Sequence, residues 1–327
     1  MPQIHGASSD VAERVGATAL GIAAARAAET AGDNPIIQDP FAQVFVDAAG
    51  IGVWNVMASP KLLAELSAAE PGLEPMVRAL IGFTAVRTAF LDEFFLDAGR
   101  AGIRQIVNLA AGLDSRAWRL PWPEGTTVYE LDQPTVLEFK YAALRRNGAT
   151  PTANVVGVPM DLRDDWSMAL QESGFDASQP TAWLAEGLLH YLPARTHDLL
   201  FDRVHALSSA ASRFALNAPS SDTQAPAAGL RGTEAAGVTG QWCADEITGW
   251  LDQQGWETSA LSLEDLLRHY GRVVRDTEVM PTVFISAHLP VASPTDPHHA
   301  VEPRYRRGAT GGRDSASETS VGPRLGL

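Results

Sequence analysis

Ile106-Val107-Asn108-Leu109-Ala110-Ala111-Gly112-Leu113-Asp114-Ser115-Arg116 is the stretch on which the reading of this chain turns. A short apolar run, long enough for a buried strand, meets three small residues and then a segment of helical character. Small residues at a strand-to-helix turn let a ligand lie against bare backbone, because Ala110, Ala111 and Gly112 put little side chain in its way. In a sheet covered by helices on both faces, ligands bind at the C-terminal edge of the strands, where this turn falls. Packing alone explains such a turn equally well, so the weight rests on its surroundings.

Downstream, strands are expected at Thr127–Leu131, Ala153–Val158, Thr181–Ala185, Arg213–Asn217, Trp256–Ala260 and Val283–Leu289. Helices are expected between them at Pro134–Asn147, Trp166–Ser173, Ala194–Ser208 and Cys243–Gln254. This alternation predicts an α/β fold, a doubly wound, mostly parallel seven-stranded sheet over residues 101–289. Upstream, the alanine-rich segment 10–31, the short pieces Phe41–Ala48 and Lys61–Ala68, and a long stretch from Pro75 to Ala98 read as helices. In the last, Met76, Leu80, Phe83, Phe90 and Phe94 recur at helical spacing. These helices are expected to form an N-terminal cap over residues 1–100. Residues 219–242 are small and polar, as in a lid inserted after the fifth strand. Residues 290–327 hold almost no large apolar side chain, and are expected to be a disordered tail.

Composition excludes several classes. Lys and Arg total 25 against 39 acids, a formal charge of −14 that repels nucleic acid and anionic membrane surfaces. No apolar run is long enough for a membrane span, and the first ten residues lack an export signal. The single cysteine, Cys243, has no internal disulfide partner, and no Cys/His cluster has zinc spacing, so neither a metal nor an oxidising compartment is expected. The expectation is a cytoplasmic protein with a small-molecule partner.

Three acids follow the turn at sheet-like intervals. Asp132 ends the second strand, twenty residues beyond Gly112, where an acid accepts from the ribose hydroxyls of an adenosine cofactor. The same residue is placed to cap the helix that begins across Gln133-Pro134, and the two roles are compatible. Asp161, after the third strand, is suited to an adenine amino group beside the Leu162 backbone; the bland alternative is a helix cap before Trp166. Glu186 ends the fourth strand and is followed by Gly187, His190 and Tyr191 where that strand meets the cleft.

The blocks Asn108–Arg116, Glu130-Leu131-Asp132-Gln133-Pro134, Asp161-Leu162-Arg163-Asp164-Asp165-Trp166 and Ala185–Leu192 resemble motifs of the leucine carboxyl methyltransferase family, in its actinobacterial branch of S-adenosyl-L-methionine-dependent methyltransferases. Val15–Leu20, Ala24–Glu29 and Ala85–Thr88 match the same branch, and the resemblance spans residues 8–289. It implies a class I methyltransferase, Rossmann-like, using S-adenosyl-L-methionine. Asp132 would bind the ribose, Asp161 and Leu162 the adenine, and Ala110, Ala111 and Gly112 would pass the methionine part. Arg87 would grip the methionine carboxylate, with Glu186 near its amino group. Two departures stand out: Ala110 replaces a glycine often seen in the turn, and His190 stands where an apolar residue is usual.

The resemblance further implies O-methylation of a small molecule carrying a carboxylate or hydroxyl, in secondary metabolism; protein carboxyl termini enter by family analogy alone. A carboxylate acceptor arrives ionised, whereas a hydroxyl needs a base, for which His190, Tyr191 and His197 are the candidates. Arg26 reads more readily as a solvated helix face or a local ion pair than as a functional group. Trp54, Trp242, Phe83 and Met76 are aromatic or thioether residues that either line the cap or pack in a core. Two other readings compete. A non-catalytic S-adenosylmethionine-binding protein would carry the same binding motifs. An NAD(P)-dependent oxidoreductase would need Gly-x-Gly-x-x-Gly, and Ala110 and Ser115 occupy two of those glycine positions.

Overall fold

The computed structural model describes residues 15–221 apart from 51 and 53, together with 242–272 and 281–291. Most of the expected lid and nearly all of the expected tail lie outside the described residues. Seven strands form one sheet: β1 (Gln105–Leu109), β2 (Thr127–Asp132), β3 (Asn154–Pro159), β4 (Thr181–Ala185), β5 (Arg213–Pro219), β6 (Glu257–Ser262) and β7 (Thr282–His288). Their order is β3-β2-β1-β4-β5-β7-β6. The first five run parallel, and β7 is antiparallel to both of its neighbours.

β1 and β4 are buried at every position, as central parallel strands covered on both faces must be. Their side chains alternate between two cores. Val107, Leu109, Trp183 and Ala185 point to one, with Trp166, Phe201 and Phe214. Ile106, Ala182 and Leu184 point to the other, where the N-terminal helices α1 (Ala17–Thr30), α2 (Ala42–Ala49) and α5 (Leu73–Arg100) contribute Leu20, Phe45, Leu91 and Phe95. Two short helices, α3 (Asn55–Ala58) and α4 (Pro60–Ser67), lie between α2 and α5 in sequence. The helices before Arg100 therefore supply a layer of the sheet's own core. Trp54 belongs to this layer and is a core residue.

Beyond β1, α6 (Arg116–Arg119) closes the turn, and α7 (Pro134–Arg146), α8 (Trp166–Glu172) and α9 (Ala194–Ala206) are the crossovers. α10 (Ala244–Gln253) follows β5. Trp242, just before it, stacks on Phe201 at 5.2 Å and is likewise a packing residue. One further helix, α11 (Leu263–His269), is too short to show periodicity; its sequence signal is Ser262, whose hydroxyl caps it by accepting from the Asp265 amide. Helix α5 is 28 residues long, about 42 Å at the helical rise. It ends at Arg100, just before β1 begins, so it runs antiparallel to β1 and its first half overhangs the C-terminal edge of the strands.

Candidate active site at the strand ends

The turn after β1 adopts the conformation that small residues permit. Ala110 has φ +57° and Gly112 φ +48°, both left-handed. For alanine this region costs about 1–2 kcal/mol, which explains why a glycine is usual there and marks the turn as held by its surroundings. Asp132 does part of the holding. Its Oδ2 accepts from the Gly112 amide at 2.6 Å and its Oδ1 from the Gln133 amide at 2.7 Å. The expected capping of α7 is not made: the helix starts after Gln133 with no side-chain cap, and Asp132 reaches only the Gln133 amide before it. Burial pushes the Asp132 carboxyl up, and the two amides pull it back only in part.

A second support comes from Arg26, which makes an ion pair as one reading expected, but a buried one with Asp39 and not on a solvated face. Arg26 is 7% exposed. Its Nε donates to Asp39 at 2.7 Å and its Nη2 to the Leu113 carbonyl at 2.7 Å. The N-terminal helix therefore clamps the residue that follows Gly112. Helical periodicity marked Arg26 as one face of α1, but not that a loop 87 residues away covers that face.

Behind the turn lies a buried ionic cluster. Arg116 reaches three carboxylates: Asp92 at 2.7 Å, Glu186 at 2.9 Å, and Asp114 in a very short contact. Arg119 pairs with Asp92 at 2.6 Å, and Asn108 donates to Asp114 at 3.0 Å. Burial pushes both carboxyls up, but Arg116 holds Asp114, and Arg87 followed by Arg116 holds Glu186, below the ordinary range. Asp114, Arg116 and Asp92 were not singled out from sequence as site residues, although Asp114-Ser115-Arg116 sits inside the decisive stretch.

Arg87, at the middle of α5, meets Glu186 just past the end of β4. Its Nε lies 2.7 Å from Glu186 Oε1. This is an ion pair without a hydrogen bond, because the N–H does not point at the oxygen and the buried Nε is left without a partner among the described residues. The guanidinium carbon sits 5.1 Å from the centre of the Phe83 ring. Phe83 also packs on Phe284, and Met76, two turns earlier, is 61% exposed. Gly187 is pinned by its amide to Asn217 Oδ1 at 2.8 Å. That buried asparagine near the end of β5 is another residue the sequence reading missed.

The remaining candidates are spread more widely. Asp161 is held by Arg163, which donates to it from Nε at 2.8 Å, from Nη2 at 2.5 Å and from its backbone amide at 2.9 Å. Its carboxyl is lowered accordingly, first of all by the side-chain bond to Arg163. The Leu162 side chain is in the core. His190 is half-buried in a 3-10 turn, Leu189–Tyr191; burial first, then the Arg87 charge, hold it below the usual histidine range. Tyr191 is 59% exposed, with its ring 5.2 Å from that of His190. His197 is fully buried, and its Nε2 lies 2.9 Å from the Leu189 carbonyl. It thus supports the turn that carries His190 and is closed off from a cleft, which removes it from the candidate bases.

Two surface cavities lie elsewhere. One is lined by Gly102, Pro180 and Leu289 at the N-terminal ends of the strands, the other by Phe94, Glu257 and Ser286 beside β6. Among the described residues no group of three or more His, Cys, Asp or Glu is placed to hold a metal ion. No described helix is long and apolar enough to cross a membrane.

Sheet order and site together define the class. An antiparallel β7 inserted between β5 and β6 distinguishes this sheet from the dinucleotide-binding order 3-2-1-4-5-6, and is the arrangement of class I methyltransferases. Comparison with known proteins agrees. The model of the family named leucine carboxyl methyltransferase matches residues 19–205. A protein of Mycobacterium marinum named "Putative S-adenosyl-L-methionine-dependent methyltransferase" is 54% identical over 314 residues, covering 89% of this chain and 100% of that one. One of the same name from Mycobacterium tuberculosis is 50% identical over 309 residues, covering 88% and 98%. A crystal structure of a "putative methyltransferase" from Thermobifida fusca YX aligns at 18% identity and a TM-score of 0.45, over 83% of this chain and 95% of that one. The chain belongs to the leucine carboxyl methyltransferase family, in its branch of S-adenosyl-L-methionine-dependent methyltransferases.

Proposed function

We propose that this chain transfers a methyl group from S-adenosyl-L-methionine to an oxygen of a small-molecule acceptor, a carboxylate or a hydroxyl. The observation that carries the reading is the Arg87–Glu186 pair at the end of β4. It offers one cationic and one anionic group side by side, as the carboxylate and ammonium of an amino acid require. The orphaned Arg87 Nε and the left-handed turn at Ala110 and Gly112 fit the methionine part of the cofactor. Asp132 would take the ribose hydroxyls, and Asp161 with the Leu162 backbone the adenine.

The cofactor supplies an electrophilic methyl on a sulfonium; the protein's task is to align an acceptor oxygen with it and exclude water. The overhang of α5 around Phe83 would form the acceptor side. A carboxylate acceptor needs no proton removed. A hydroxyl acceptor needs a base, and His190 is suited to that role because its depressed pKa leaves the imidazole neutral at physiological pH.

Calorimetric titration with S-adenosyl-L-methionine and with NADP⁺ tests the cofactor, and methyl transfer to matched acids and phenols tests the acceptor. Binding of the sulfonium compound alone is expected. Binding of NADP⁺ alone would overturn the reading, and methylation only of nitrogen nucleophiles would overturn its oxygen specificity.

A further inference from the structure

An arginine and a carboxylate left to themselves settle into a two-pronged, fork-to-fork pair. Arg87 and Glu186 do not. Arg87 Nε lies 2.7 Å from Glu186 Oε1, but its N–H is directed elsewhere. No hydrogen bond joins the Arg87 terminal nitrogens to any described residue. The reason lies on the far side of Glu186: its second oxygen, Oε2, accepts from Arg116 Nη1 at 2.9 Å. Arg116 is itself immobilised by Asp92 at 2.7 Å and by both the side chain and, through its own amide at 2.7 Å, the other oxygen of Asp114. Asp92 is fixed in turn by Arg119. Three guanidiniums and three carboxylates balance, but the balance is asymmetric. Arg116 is saturated with acceptors, while Arg87 is left short of them.

We propose that Arg116 is a positioning residue that holds the second oxygen of Glu186, so that Arg87 meets only Oε1 and keeps its terminal nitrogens open for the carboxylate of the bound amino-acid moiety. Without it, the freed Oε2 of Glu186 turns onto the Arg87 terminal nitrogens, the pair becomes two-pronged, and the site loses its grip on both ends of a zwitterion. Asp132, which faces the nucleoside part, makes no contact with Arg116 and is untouched by that change. This inference rests on the cofactor reading above.

Two ligands separate the effects. S-adenosylhomocysteine carries the nucleoside and the amino-acid moiety; methylthioadenosine carries the nucleoside alone. Wild-type protein is expected to bind both. Arg116→Gln is expected to weaken S-adenosylhomocysteine by about tenfold to a hundredfold, the size of one or two charge-assisted hydrogen bonds, and to change methylthioadenosine by less than about twofold. Arg116→Lys keeps the charge but not the three-way reach, and is expected to fall between on the first ligand while matching wild type on the second. If Arg116→Gln does not fold, judged by circular dichroism, the lysine variant carries the same comparison. Equal losses on both ligands in a folded variant, or no loss on either, would overturn the proposal. A wild-type protein that binds neither nucleoside refutes the cofactor reading itself, and the role of Arg116 with it.

Discussion

Replacing Asp132 by alanine removes the acceptor assigned to the ribose, and the structure sets the size of the effect. Each carboxylate oxygen already accepts one backbone amide, Gly112 at 2.6 Å and Gln133 at 2.7 Å. With roughly two lone-pair positions per oxygen, about one on each remains for a ribose hydroxyl. A hydrogen bond to a charged acceptor contributes about 1.5–3 kcal/mol. Two bonds to one carboxylate are not additive, so a net loss of about 3 kcal/mol is expected, or a Kd raised about a hundredfold. Asp132→Asn keeps one acceptor oxygen but presents an amide donor to a backbone N–H, and should lose about tenfold. Burial holds the Asp132 pKa above its ordinary 3.8. The carboxylate therefore protonates earlier on acidification, and wild-type affinity should begin to fall above the pH at which an ordinary aspartate titrates. Calorimetry with S-adenosylhomocysteine reads all three effects. An alanine variant with native circular dichroism and wild-type affinity would refute the ribose assignment.

Ala110→Gly relieves a left-handed alanine and should leave the protein between unchanged and about 1 kcal/mol more stable, since the gain near 1–2 kcal/mol is offset by a more flexible unfolded chain. Thermal unfolding checks it, and a destabilisation above about 1 kcal/mol would mean that the Ala110 methyl matters more for packing than for strain. Lys140→Met strands Glu130, a fully buried carboxylate that Lys140 Nζ meets at 2.8 Å, leaving it one neutral donor, Tyr141 at 2.9 Å. The cost should be about 3–5 kcal/mol. Burial already raises the Glu130 pKa, so the variant is stabilised by protonation, and the deficit should grow as pH rises through the raised folded-state value; a pH-independent deficit would refute this. His190→Ala should slow methylation of a hydroxyl by about a hundredfold or more while sparing a carboxylate acceptor. Because the folded-state His190 pKa is depressed, the acid limb of the wild-type hydroxyl profile should lie below 6.5; equal losses on both acceptors would remove His190 as the base.

The alternation of short apolar runs with helical segments sufficed, without coordinates, for the sheet and its strands. β1 and β4 are buried on both faces and so read as unbroken apolar stretches. It also placed the small-residue turn after β1 and the acid Asp132 at the end of β2, because both are local features of the chain. Glu186 was legible as the acid ending the fourth strand, whereas Arg87 was named through the family resemblance, and no relation between the two was visible. What only the tertiary structure decided is the partnership of charges far apart in sequence. Sheet order places β4 beside β1, so Glu186 arrives next to Arg116, 70 residues earlier. The middle of α5 then brings Arg87 and Asp92 to the same point, and α1 lays Arg26 on the Leu113 carbonyl. Helical periodicity tells which face of α1 or α5 is turned inward. It cannot tell what will be found there, because the partner is chosen by how the strands are ordered and not by any local preference of the chain.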